Sequence, residues 1–191
     1  MASQNPKAQS RRAFATTFAL SFAGVGAALV VWPLIDQMNP NPSTPAPDTA
    51  TMDLLTVELG TSKSIAWHGM PIVARNRLRE EIEIARQRSP HSLRDQYARN
   101  ANLSKRAAAA DENRTQKDYS QWLVVVGMCT RDACLLKDFD AEERLADGIG
   151  WFCPCCAARY DLSGRGLSGP GGVENLAIPP FEIQGWKLRV G

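Results

Sequence analysis

Five cysteines, all of those in the chain, fall within two short loops, and this constrains the fold more than any other feature. The loops are Cys129-Thr130-Arg131-Asp132-Ala133-Cys134 and Cys153-Pro154-Cys155-Cys156-Ala157-Ala158, with eighteen residues between them. Each follows an apolar run with strand character, Gln121 to Met128 and Ile149 to Phe152. Two cysteine loops brought together at the tips of a sheet can hold a metal centre, a disulfide, or both. The charge balance of 22 basic and 20 acidic residues marks no nucleic-acid surface, so no nucleic-acid partner is expected.

The N-terminus assigns a compartment. Lys7, Arg11 and Arg12 precede a charge-free stretch of 23 residues, Ala13 to Ile35, which ends at Asp36. As a helix it would span about 34 Å, enough for a hydrocarbon core of roughly 30 Å. A cleaved secretory signal would carry only about 7 to 15 apolar residues before a small-residue cleavage site. Trp32-Pro33 closes the stretch where an interfacial aromatic anchor belongs, so a retained single-pass anchor is expected. Basic residues ahead of it predict a cytoplasmic N-terminus and an exported body. Ser10-Arg11-Arg12-Ala13-Phe14 also fits a twin-arginine signal, which serves proteins exported already folded.

The expected organisation is a cytoplasmic N-terminus over 1–12, an anchor over 13–35, a proline-rich hinge or linker over 36–52 and an exported domain over 53–191. The linker places four prolines in eight residues, which excludes a helix interior. Strands are predicted at Leu54 to Leu59, Ser64 to Trp67 and Pro71 to Ala74, with a charged, solvated helix from Arg75 to Arg88. Ser89 to Tyr119 reads as short helices and loop, with Ala107 to Ala110 favouring helix. Tyr160 to Gly166 reads as a strand end and turn, Gly169 to Gly172 as an irregular loop, and Phe181 to Val190 as a hairpin turning near Gln184-Gly185. The domain is therefore mostly β with a helical insertion. His68 and His91, the only histidines, lie outside both loops and are expected to be surface residues.

Several runs carry a family likeness: SRRAF, VWPLIDQMNP, GMPIVARNRLREEIEIAR, ARNANLSKRAAAADENRT, GWFCPC, RYDLSGR and GPGGVENLAIP. In this order they resemble the Rieske iron–sulfur subunit of ubiquinol–cytochrome c reductase, in its alphaproteobacterial form. The resemblance implies a Rieske-type antiparallel β domain with a cluster-binding part at about 121–180, held at the bacterial inner membrane with the head in the periplasm. It implies cytochrome b and cytochrome c-type subunits as partners, and quinol where the cluster is functional. It also implies a 2Fe-2S cluster on the first cysteine and the histidine of each loop, with the other two cysteines in a disulfide. By position, Cys129 and Cys153 match the cysteine ligands, Cys134 and Cys155 match the disulfide, and Tyr160 matches a tyrosine that hydrogen-bonds the cluster.

The family's histidine positions hold Arg131 and Cys156 here. An arginine stays protonated and offers no lone pair, so Arg131 cannot replace a histidine on iron. Cys156 could ligate as a thiolate. Ala133 and Ala157 stand at family glycines, Asp132 at a leucine and Ala158 at a serine. The expectation is a divergent copy whose centre is altered or absent. Alternatives are a redox-inactive binding subunit pinned by the disulfide alone, and a zinc site on Cys129, Cys153 and Cys156. Arg131 and Arg159 could lower the Cys156 pKa and make it reactive, but a buried or disulfide-bonded cysteine is the commoner case.

Overall fold

The computed structural model describes residues 6–38, 48–167 and 173–191. Most of the proline-rich linker and the Gly169–Gly172 loop lie outside them. Contacts divide the chain into two units, Met1–Pro45 and Ala46–Gly191.

In the first unit, α1 (Pro6–Met38) contains Ala13–Gln37, a stretch of 25 residues long and apolar enough to cross a membrane. Its apolar side chains, including Phe14, Leu20 and Trp32, are exposed. The hydroxyls of Thr17 and Ser21 donate to the carbonyls of Ala13 and Thr17, four residues back. The polar side chains thereby find partners within the helix, as a lipid environment requires.

Among its described residues the second unit holds three antiparallel three-stranded sheets. The first orders β1 (Ala50–Asp53), β9 (Lys187–Val190) and β8 (Phe181–Gln184). The second runs β2 (Ser62–Trp67), β3 (Met70–Asn76) and β4 (Trp122–Val126), and the third β5 (Lys137–Asp138), β6 (Ile149–Phe152) and β7 (Arg159–Asp161). The β8–β9 hairpin turns at Gly185, whose φ of 58° lies in the left-handed region that suits glycine.

β4 explains its own composition. Alternate side chains leave a strand on opposite faces. Trp122 and Val124 enter one core with Met52, Ile72, Ile183 and Leu188. Leu123 and Val125 enter a second core with Cys129, Trp151, Cys153, Tyr160 and Leu176. A strand buried on both faces reads as an unbroken apolar run, and the first cysteine loop grows from its end.

Four expectations are corrected. Leu54 to Leu59 is not a strand: Leu54–Thr56 is a 3-10 turn, capped where the Asp53 carboxylate accepts from the Leu55 amide. The strand lies just upstream, as β1 pairs with β9. Ala107 to Ala110 is extended, because Ala107 and Ala109 exchange backbone hydrogen bonds with Ala98 and Gln96. Helix α2 is shorter than expected, Arg79–Gln87, and its surroundings are not wholly solvated. Arg75, Arg77 and Glu81 are buried, whereas Arg79–Glu83 is an exposed pair at helical spacing.

An unforeseen helix, α3 (Ala141–Asp147), lies between the loops. Asp140 caps it by accepting from the Glu143 amide, and Gly148 ends it at φ 63°. Its Arg144 is fully buried, donates to Glu81 and to the Gly150 carbonyl, and stacks over Trp151 at 4.8 Å.

Candidate metal centre

The two loops fold alike. In the first, the Cys129 amide donates to the Cys134 carbonyl and the Ala133 amide to the Cys129 carbonyl. In the second, Cys153 donates to Ala158 and Ala157 donates back to Cys153. Each turn needs a left-handed residue next to its end, and alanine supplies it both times: Ala133 at φ 53° and Ala157 at φ 56°. An L-residue with a Cβ is strained there by roughly 1–2 kcal/mol.

Cys134 and Cys155 are joined by a disulfide across the loops. Cys129, Cys153 and Cys156 are free, and their sulfurs all lie within 4.8 Å of one another. Cys129 Sγ and Cys156 Sγ are 3.6 Å apart. Tyr160, fully buried, donates its hydroxyl to Cys129 Sγ at 3.5 Å. That hydroxyl is held in turn by the Thr130 amide and Oγ1, each at 3.1 Å. The sequence did not single out Thr130; a hydroxyl residue following the first loop cysteine was its only trace.

Burial raises the Cys129 pKa, but the Tyr160 hydroxyl and the backbone amides of Asp132 and Arg131 outweigh it, bringing the thiol down to about 7. The Cys156 thiol is pushed up to about 12, by burial first and then by the neighbouring Cys153, Cys129 and Asp132 side chains. Cys156 is therefore not activated by its arginine neighbours. The Arg131 guanidinium is instead half-exposed and pairs with Asp132 at 3.7 Å.

His68 sits exposed in the turn between β2 and β3, and His91 in an exposed 3-10 turn. Neither joins the groups of potential ligands found among the described residues. The donor set at the tip is three thiols and no imidazole. It does not fit a centre ligated by two histidines.

Fold and site together define a disulfide-pinned, two-loop cysteine head on a chain with an apolar N-terminal helix. A family model described as "Ubiquitinol-cytochrome C reductase Fe-S subunit TAT signal" matches residues 1–41. The ubiquinol-cytochrome c reductase iron-sulfur subunit of Rhodospirillum rubrum is 38% identical over 172 residues, covering 90% of this chain and 86% of that protein. The subunits of the same name from Rickettsia prowazekii and Cereibacter sphaeroides are 36% and 37% identical, covering 97% and 94% of this chain and 95% and 93% of their own lengths. A solved chain titled "Hyperthermophilic respiratory Complex III" covers 91% of this chain and 98% of its own at 17% identity and a TM-score of 0.47, too loose a likeness to carry an argument. The chain belongs to the family of ubiquinol–cytochrome c reductase iron–sulfur subunits, the Rieske proteins.

Proposed function

We propose that this chain is the Rieske-fold subunit of a respiratory complex, seated with cytochrome b and cytochrome c-type subunits. Its N-terminus is cytoplasmic, α1 crosses the inner membrane, and the head stands in the periplasm. The 13–35 anchor, the 36–52 linker and the head from about residue 53 keep the roles their sequence suggests. The tip does not carry the 2Fe-2S cluster expected of the family. It holds one soft cation, zinc by preference, on Cys129, Cys153 and Cys156.

The carrying observation is the convergence of three free sulfurs within one 4.8 Å neighbourhood, beside an arginine that has no lone pair to give. A two-iron centre sets its ligands in pairs on separate irons, so a ligand at the Cys156 position would stand apart from Cys129. The 3.6 Å separation instead suits two vertices of a tetrahedron, since zinc–sulfur bonds of about 2.3 Å give an edge of about 3.8 Å. Three protein thiolates leave the fourth position to a water or a neighbouring group.

The second consequence concerns quinol. An imidazole on the metal can take a proton near neutral pH, and no group at this tip reproduces it. A guanidinium has no lone pair with which to accept a proton, and the thiols would be held by the cation. The subunit therefore contributes binding and structure to its complex and does not oxidise quinol at the tip.

The test is a strain in which this chain is the sole Rieske-type subunit, with the complex purified through a tag on it. Haem-containing subunits should co-purify, with no quinol-dependent reduction of cytochrome c above background. Rapid quinol-dependent turnover would overturn the loss of redox function, and failure to recover haem subunits would overturn the placement in the complex.

A further inference from the structure

All five sulfurs form one connected group, and Cys153 is the shared member. It lies within 4.8 Å of Cys129 and Cys156 on one side, and within 4.8 Å of both sulfurs of the Cys134–Cys155 disulfide on the other. A free thiol that close to a disulfide is placed for exchange, which proceeds by thiolate attack on one sulfur and departure of the other.

We propose that Cys153 is a redox-exchange residue claimed by either the cation or the disulfide, so that metal loss moves the bridge from Cys134–Cys155 to Cys134–Cys153. The proposal rests on the single-cation reading above.

Two observations set the direction of exchange. Cys153 is fully buried, so small external thiols do not reach it and the reaction stays within the chain. Cys155 is exposed, whereas Cys134 is half-buried, so Cys155 is the sulfur whose departing thiolate water can solvate. Attack on Cys134 also keeps one covalent link between the two loops. Attack on Cys155 would close a bridge within the second loop alone and unpin the first.

The step balances without an outside oxidant. The Cys153 Sγ–Cys134 Sγ bond forms as the Cys134 Sγ–Cys155 Sγ bond breaks. The electron pair of the broken bond leaves on Cys155, which takes up the proton that Cys153 releases. One disulfide and three thiols stand on each side of the exchange. With the cation in place, the Cys153 electron pair is engaged and the bridge stays at Cys134–Cys155.

The experiment uses the full chain in detergent, once with zinc retained and once after chelation. Free thiols are blocked with a maleimide under denaturing conditions, and the disulfide is then mapped by peptide mass spectrometry. Zinc content is measured on the same samples. The expected result is a Cys134–Cys155 bridge with zinc, and a Cys134–Cys153 bridge with maleimide on Cys155 after chelation. Cys153→Ser should keep Cys155 unlabelled under both conditions. A bridge still wholly at Cys134–Cys155 after chelation would overturn the proposal. If the isolated chain holds no zinc yet already shows the moved bridge, the single-cation reading fails while the exchange stands.

Discussion

Removing the Glu81 carboxylate should cost this head more than any surface change of equal size. Glu81 is on α2 and fully buried, and its Oε1 accepts from Arg75 of β3 at 2.6 Å and from Arg144 of α3 at 2.8 Å. Its Oε2 accepts the Leu78 amide at 2.9 Å, one of the free donors at the start of α2. Three elements thus meet on one carboxylate. Glu81→Ala leaves two buried guanidiniums facing each other, a change that typically costs about 3–5 kcal/mol. Asp138 remains beside both, at 3.5 Å from Arg75 and closer to Arg144, so the low end, about 3–4 kcal/mol, is expected. At about 2–4 °C per kcal/mol for a chain of this size, the unfolding midpoint should fall by about 6–16 °C. Circular dichroism melts of the detergent-solubilised protein read this directly. Glu81→Gln keeps an acceptor oxygen and should fall between Ala and the unchanged protein. A drop for Glu81→Ala equivalent to less than about 1 kcal/mol would mean that the carboxylate behaves as part of a solvated surface pair and not as a buried one.

Ala133→Gly and Ala157→Gly should each stabilise the protein by about 0.5–1 kcal/mol, the relief of left-handed strain less the extra freedom of glycine in the unfolded chain; unchanged or lower midpoints in both would contradict the turn geometry. Low pH should weaken the head, since the Glu81 and Asp111 carboxylates are partly raised by burial but held below their ordinary values of 4.5 and 3.8 by arginine partners, Arg75 and Arg144 for one, Arg77 for the other. A depressed carboxylate contributes its full stability above the unfolded pKa and loses it as pH falls through the folded one, so melts should be flat from pH 7 to about 5 and decline below about 4. Restoring histidine at both Arg131 and Cys156 should recover more iron and acid-labile sulfide on reconstitution than either change alone. An iron-free double variant would show that Asp132 and Ala158 have closed the site as well.

Local signals carried some of this structure and not the rest. WLVVV was legible as a strand because burial on both faces leaves no polar position in it. The closing hairpin announced itself through Gly185. The three-thiol grouping could be expected only through the family likeness, because spacing alone does not say which of five cysteines pair. Arg75 and Glu81 read as solvated charges because Glu81 and its partner Arg144 are 63 residues apart in sequence, and nothing local marks their meeting. Helix α3 was legible in principle: Asp140 followed by Glu143, with Gly148 at the far end, is a start and a stop. The alanine run at 107–110 shows the opposite case, in which pairing with Gln96 and Ala98 overrides helix propensity.

On the proposed reading the tip holds one thiolate-bound cation in place of a two-iron cluster. Its most direct test is the iron, zinc and acid-labile sulfide content of the purified full-length protein, with an electron paramagnetic resonance spectrum after reduction. About one zinc per chain, no sulfide and no iron–sulfur signal are expected, as three thiolates around a single tetrahedral ion require. About two irons and two sulfides per chain with a reduced-cluster signal would contradict it.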